Sequence, residues 1–408
     1  MRIENDSLGN IEIPEDALYG AQTARAVDNF KVSGRTAYKE FVFATVLIKK
    51  SAALVHKKLG LISTEKADAV INASDELLKG NYLEHFVVDI FQAGAGTSHN
   101  MNVNEVIANL ANESLGGKRG EYKYVHPNDD VNMAQSTNDV IPTAMRLSSL
   151  NLLKELFPVL IELSSLMKEK SGEFDDVIKS GRTHLQDAVP IRLGQEFSGY
   201  HSCIEKHSRK VEETQKELTF LGIGGSAAGT GLNVYPEYRK LMVETLSELM
   251  QLELKMADNY FEAMQSMRPF VNLSGVLKSL AVDLGRMAND FRLLSSGPKT
   301  GLSEIVLPPV QPGSSIMPGK VNPVMAEMLN MVCFRVIGND LTITSASSAG
   351  QLELNVMMPV IADTLIESLK ILTGGIDSFN RKCLKGVTAN KERCKYYAEN
   401  SFAMVTAL

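Results

Sequence analysis

LSGVLKSLAVDLGRMANDFRLL, residues Leu273 to Leu294, places Leu273, Leu277, Leu280, Leu284, Met287, Phe291 and Leu294 at alternating intervals of four and three. A sustained 3.5-residue repeat marks helices packed knobs-into-holes, so this segment predicts one long helix inside a bundle. Val276, Ala281, Val282 and Ala288 are apolar off that seam, which predicts burial on more than one face, some of it against other subunits. Leu150, Leu153, Phe157, Leu160 and Met167 repeat the pattern, with Ser164 at the missing position and Pro158 as an expected kink. Ile361, Leu365, Leu369 and Leu372 continue it towards the end of the chain.

Composition agrees with a helical chain. There is no Trp and aromatics are only 6% of 408 residues, so Leu, Ile, Val, Met and Ala must fill the cores, as suits helix-on-helix packing. The length predicts two or three domains. A net charge of −6 without a basic run argues against a nucleic-acid partner. No run of 18 apolar residues argues against a membrane-spanning helix, and MRIENDSLGN lacks the charged and apolar regions of an export signal. The expectation is a cytoplasmic protein, with Cys203, Cys333, Cys383 and Cys394 reduced. His201, Cys203 and His207 do not together share a helix face, so no metal site is expected.

Along the chain, the first forty residues read as irregular, and 39–59 and 64–79 as helices, the second capped by Thr64. AGAGTSHNMNVN (93–104) and HPNDDVNMAQSTND (126–139) read as polar loops, with a helix beginning at Glu105 between them. GRTHLQDAVP (181–190) and GIGGSAAGTGLN (222–233) read as two more loops. The last carries a G-x-G-x-x-A match, but the amphipathic VEETQKELTF before it is no buried strand, which argues against a dinucleotide site.

QPGSSIMPGKVNP, residues 311–323, must also be a loop, because Gly313, Pro312, Pro318 and Gly319 do not belong inside a helix. It is no P-loop: the glycine spacing is one residue too long and Val321 stands where Ser or Thr should bind magnesium. Its hydroxyls, backbone N–H groups and Lys320 make it a candidate anion-binding lid. Pooled, the loops offer Thr97, Ser98, Ser136, Thr137, Asn138, Thr183, His184, Ser314, Ser315, Lys320 and Asn322. Neutral donors at helix ends suit small carboxylates.

GAGTSHNMNVNE, VHPNDDVNMAQSTND, GRTHLQDA, GTGLN and above all GSSIMPGKVNP resemble the aspartase/fumarase superfamily, nearly end to end. The resemblance implies an all-α, three-domain fold: a mostly helical domain at 1–138, a central long-helix bundle at 139–393, and the start of a small C-terminal domain at 394–408 that related chains continue. It also implies a homotetramer with active sites shared by three subunits, a small-molecule substrate, and no cofactor.

GAGTS, STND, Gln311 and Val324 are more similar to aspartate ammonia-lyases, whereas VHPNDDVN and GGSAAGTG lean to fumarases, as do Ser348 and Met358 where acidic residues are expected in an ammonia-lyase. The expected reaction is deamination of L-aspartate, with malate/fumarate hydration as the alternative and a non-catalytic structural oligomer as a second. By resemblance Ser314 is the base at Cβ; Thr97, Ser136, Thr137 and Ser315 hold the β-carboxylate as its dianion develops, and Ser98 is a further substrate-binding residue. Lys320, Asn322 and Thr183 hold the α-carboxylate, Asn138 and His184 lie near the amino group, and Glu327 supports His184.

Overall fold

The computed structural model describes residues 1–402 and 405 and is predominantly helical. In order the elements are β1 (Arg2–Asp6), β2 (Gly9–Ile13), α1 (Ala21–Asn29), α2 (Lys39–Lys58), α3 (Thr64–Leu78), α4 (Thr97–Ser114) and α5 (Thr137–Glu173). There follow β3 (Ile178–Thr183), β4 (Gln186–Arg192), α6 (Leu193–Leu218), β5 (Phe220–Leu221), α7 (Tyr238–Met250), β6 (Lys255–Met256) and α8 (Tyr260–Gln265). The last are α9 (Arg268–Leu294), β7 (Ile305–Val306), α10 (Val324–Ser348), α11 (Met358–Lys382), β8 (Thr388–Ala389) and α12 (Lys391–Asn400). The strands form four separate two-stranded pairs. Among the described residues no helix is long and apolar enough to cross a membrane.

Two compact units emerge. The first comprises Met1–Leu152, Gln215–Asn272 and Leu341–Ile366. Its core joins Val42 and Val46 of α2, Val70 and Leu77 of α3, and Val103, Val106 and Ile107 of α4. The opening residues are not irregular: β1 and β2 pair antiparallel, the Asp6 carboxylate accepts from Leu8 N at 2.8 Å, and Gly9 takes φ +107 to turn the chain. Arg25 of α1 then grips Asp6 at 2.7 Å. The cap of α3 is Ser63, one residue before the expected Thr64, with its hydroxyl accepting from Lys66 N at 3.3 Å.

α4 begins eight residues before Glu105, at Thr97. Asparagine is a weak helix former because its amide competes for backbone groups. Here tertiary bonds occupy those amides: Asn102 donates to His85 O at 2.9 Å and Asn104 to Asn132 Oδ1 at 3.2 Å.

The second unit comprises Leu153–Thr214, Leu273–Asp340 and the chain from Glu367 onward. Every seam residue of α9 is buried, from Leu273 to Leu294. Ala281 and Ala288 are buried as expected, but Val282 is 54% exposed, so the off-seam burial is incomplete within one chain. Phe291 of the seam meets Phe197 of α6 at 5.6 Å and Phe379 of α11 at 5.3 Å, both edge-on. Pro158 is accommodated within the 37-residue α5.

The expected loop at 181–190 is mostly a hairpin, β3 and β4 pairing antiparallel around a two-residue turn. His184 and Leu185 occupy that turn at φ +54 and +57, the left-handed pair that matches strand twist. α12 packs on β3, where Tyr397 lies under Arg182 at 5.4 Å. The expected C-terminal domain start at 394–408 lies partly outside the described residues.

Candidate active site

Thr97 and Ser98 open α4. Gly96 precedes them at φ +86, and a Cβ on it would lie 3.1 Å from the Ile141 side chain, so glycine lets this helix start press against α5. The Thr97 hydroxyl donates to Gly94 O at 3.3 Å and faces solvent, while Ser98 is buried.

Ser136, Thr137 and Asn138 open α5 through a capping box. Ser136 Oγ accepts from Asn138 N at 3.2 Å, and Asp139 Oδ1 accepts in return from Ser136 N at 2.9 Å. The other Asp139 oxygen accepts from Gly224 N at 2.9 Å and Ser226 N at 3.0 Å, and the Asn138 amide donates to Ala227 O at 2.8 Å. The glycine-rich loop is thereby clamped to the helix start. Its Gly224 and Gly231, both at positive φ, leave room for Arg239, whose Nε donates to Gly224 O at 3.0 Å. Asn100 of α4 donates to Thr137 Oγ1 at 3.2 Å, so the first turns of α4 and α5 meet through the Thr137 hydroxyl. That arrangement suits carboxylate oxygens.

Buried ionisable groups brace this cradle. Lys49 of α2 donates to Asn132 Oδ1 at 2.8 Å and Gln135 Oε1 at 3.0 Å, and Asn132 also accepts from Asn100 at 3.2 Å. Burial brings the Lys49 ammonium down to about 7, with the Asp139 charge acting in the opposite sense. Burial pushes the Asp139 carboxyl up to about 6, against its three N–H donors and Lys49. His99 stacks on Phe41 and meets Thr45 Oγ1 at 3.0 Å, and burial, with Lys49 adding to it, holds its ring down to about 3. Asp139, Lys49 and Asn100 were not among the expected site residues. Their available signals were the S-x-x-D spacing of Ser136 to Asp139 and a lysine set inside the apolar run VLIKKSAALV.

The second unit carries the remaining candidates. Thr183 and His184 are exposed at the tip of the β3–β4 hairpin. Its base is held by a buried ionic cluster: Lys179 meets Glu196 at 2.8 Å and Glu304 at 3.0 Å, and Arg182 forks onto both Glu304 oxygens at 2.9 Å. The 311–323 segment is a loop, as expected. Ser314 Oγ accepts from Ile316 N at 3.2 Å and Met317 N at 3.1 Å. Gly313 N donates to Lys320 O and the Asn322 amide to Gly313 O, each at 2.7 Å, so Asn322 braces the neck of the loop.

The loop curls around a cleft of about 430 Å³ lined by its own backbone and by Ser314, Met317 and Lys320. Ser315 and Lys320 are exposed, and Glu327 sits half-buried in the first turn of α10. Among the described residues no hydrogen bond joins the hairpin tip to this loop. The expected residues thus fall into two groups, Thr97, Ser98 and 136–138 in one unit and Thr183, His184, Ser314, Ser315, Lys320, Asn322 and Glu327 in the other.

A family model described as a lyase matches residues 9–338. The chain is 48% identical over 407 residues to the aspartate ammonia-lyase of Bacillus subtilis, covering 100% of this chain and 86% of that one. It is 50% identical over 410 residues to that of Pseudomonas aeruginosa, covering 100% and 86%. Among solved structures, a fumarate lyase:delta crystallin from Brucella melitensis bound to cobalt superposes with a TM-score of 0.97 at 47% identity, covering 100% of this chain and 89% of that chain. The recombinant class II fumarase from Schistosoma mansoni matches with a TM-score of 0.97 at 42% identity, covering 99% and 88%.

Proposed function

The chain belongs to the fumarase/aspartase superfamily of lyases, and from that footing we propose that it interconverts L-aspartate with fumarate and ammonia. The observation that carries this is its identity of about one residue in two, over its whole length, with aspartate ammonia-lyases.

Ser314 takes the proton from Cβ, and the electron pair left behind moves into the β-carboxylate to give an aci-carboxylate dianion. A serine is a weak base unless its oxyanion is stabilised. The two backbone donors on Ser314 Oγ, Ile316 N and Met317 N, support this role. The dianion rests against Thr97, Ser98, Ser136, Thr137 and Ser315. Preorganised donors aimed at developing charge are each worth roughly 3–4 kcal/mol. Collapse of the dianion forms the double bond as the Cα–N bond breaks and the amine leaves past Asn138 and His184. Lys320, Asn322 and Thr183 hold the α-carboxylate, Lys320 by charge.

The enzyme acts as a cytoplasmic homotetramer whose active sites each draw on three subunits. Met331, Phe334 and Ile337 support association: they recur every three residues along α10 and are exposed, Phe334 by 65%.

Similarity to a class II fumarase supports a second reading, in which His184 and Glu327 activate water for malate/fumarate hydration. Fumarate absorbance with purified protein, given L-aspartate and L-malate separately, distinguishes them. Fumarate from aspartate alone is the expected result. Fumarate from malate alone overturns deamination, and none from either favours a non-catalytic oligomer.

A further inference from the structure

Cys203 and His207 stand one turn apart on α6 and share a face, on which Asp283 of α9 converges. His201, two residues from Cys203, is not part of the group, as its spacing predicts: it turns instead to Ser164 at 3.0 Å. His207 Nε2 lies 2.8 Å from Asp283 Oδ2, and the thiol sulfur, ring nitrogen and carboxylate oxygen all lie within 4.8 Å of one another. The groups are partly exposed, His207 by 14% and Asp283 by 32% at the side chain, so solvent reaches them.

Two other roles fit the geometry poorly. In a nucleophilic relay the histidine stands between thiol and carboxylate. Here His207 Nε2 is engaged by Asp283 Oδ2 at 2.8 Å, and the thiol stands beside both groups instead of at the end of a relay. Burial and Asp283 also push the thiol up to about 11, so it is not an activated thiolate. A plain structural hydrogen bond needs only the His207–Asp283 pair and gives no reason for the sulfur to stand beside it.

We propose that Cys203, His207 and Asp283 form a binding site for Zn²⁺ that clips α6 to α9. Thiolate, imidazole and carboxylate are the ligand types Zn²⁺ prefers, at about 2.0–2.3 Å each, which sets donors in a tetrahedral site roughly 3.3–3.7 Å apart. The His207–Asp283 separation of 2.8 Å is shorter than that spacing, and no pair of the three ligand atoms lies more than 4.8 Å apart. Binding requires a small parting of His207 and Asp283, transfer of the His207 ring proton to Nδ1, and release of the thiol proton to water. Thiolate and carboxylate then balance the two positive charges, and water takes the fourth position. Arg286 Nε, 3.5 Å from Asp283 Oδ1, and Lys206, whose charge also reaches Cys203, are the opposing cations, Arg286 the nearer to the carboxylate.

The test uses the purified full chain after chelator treatment. Titration with Zn²⁺ against a chromophoric chelator should show one ion per chain, bound at about micromolar strength or tighter. Co²⁺ should give the near-ultraviolet charge-transfer band of a cobalt thiolate. Cys203→Ser should abolish that band and weaken Zn²⁺ at least about tenfold, as should His207→Gln, with circular dichroism unchanged. Arg286→Ala should tighten binding a few-fold, since it removes an opposing charge. Absence of the cobalt band, a stoichiometry other than one, or Zn²⁺ binding unchanged by Cys203→Ser would overturn the site. The readout is independent of turnover, so it stands or falls separately from the deamination proposal.

Discussion

The start of α5 and the 311–323 loop are built from the same kinds of residue and held in opposite ways. At α5 every side chain around Ser136 is tied to something distant in sequence: Asp139 to Gly224 and Ser226, Asn138 to Ala227, Thr137 to Asn100. Around Ser314 the hydrogen bonds among the described residues stay within the loop, joining it to Ile316 and Met317 and Gly313 to Lys320 and Asn322. The first arrangement fixes donors before a substrate arrives, as electrostatic stabilisation requires. The second leaves a loop with little tertiary anchoring, as suits a segment that closes during turnover. On the proposed mechanism a rigid cradle and a movable base are compatible demands because different segments meet them.

The sharpest test of that contrast is Ser314→Ala. Turnover should fall by about two orders of magnitude or more through loss of the base, while the urea midpoint stays put because the Ser314 side-chain bonds among the described residues stay within its own loop. Turnover within a few-fold of the parent would remove Ser314 from the role.

Asp139→Ala should show the reverse priority, since it strips three N–H groups of their acceptor inside the fold. About 3 kcal/mol of stability should be lost, read from urea unfolding. A midpoint shift no larger than that of Ser314→Ala would break the distinction between anchored and self-contained regions.

The anchored unit also carries a cost, at His56. This ring stacks on Tyr238 at 5.3 Å, neither of its nitrogens has a hydrogen-bond partner among the described residues, and burial brings it down to about 4. The folded state therefore takes up the proton less readily than the unfolded chain, whose imidazole titrates near 6.5. Its contribution is fully present above pH 6.5 and is lost as pH falls towards 4, by about 2 kcal/mol at pH 5. His56→Phe should keep the stability at pH 7.5 and lose about 2 kcal/mol less than the parent on going to pH 5. Equal losses in both proteins would place the acid sensitivity elsewhere.

How far each feature could be read in advance follows from its range. The α9 seam, the helix at 39–58 and the 311–323 loop rest on spacing or on glycine and proline, and they stand in the structure. The start of α4 was misplaced because Asn100, Asn102 and Asn104 read as loop residues until buried partners occupy their amides. The hairpin carrying His184 was missed because its turn uses His and Leu at positive φ, where glycine or asparagine would have announced it. Its stability comes from Glu304, 122 positions away from Arg182.

What the sequence determined by itself is the set of long helices, the faces they bury and the loops where hydroxyls and amides collect. Periodicity and backbone restriction act over a few residues, so both are written locally. Only the tertiary structure decided which polar groups meet: Asp139 with a loop 85 residues on, and Cys203 and His207 with Asp283. A hydrogen bond or a ligand set depends on positions to within a fraction of an ångström, and those are settled only when distant apolar faces have packed.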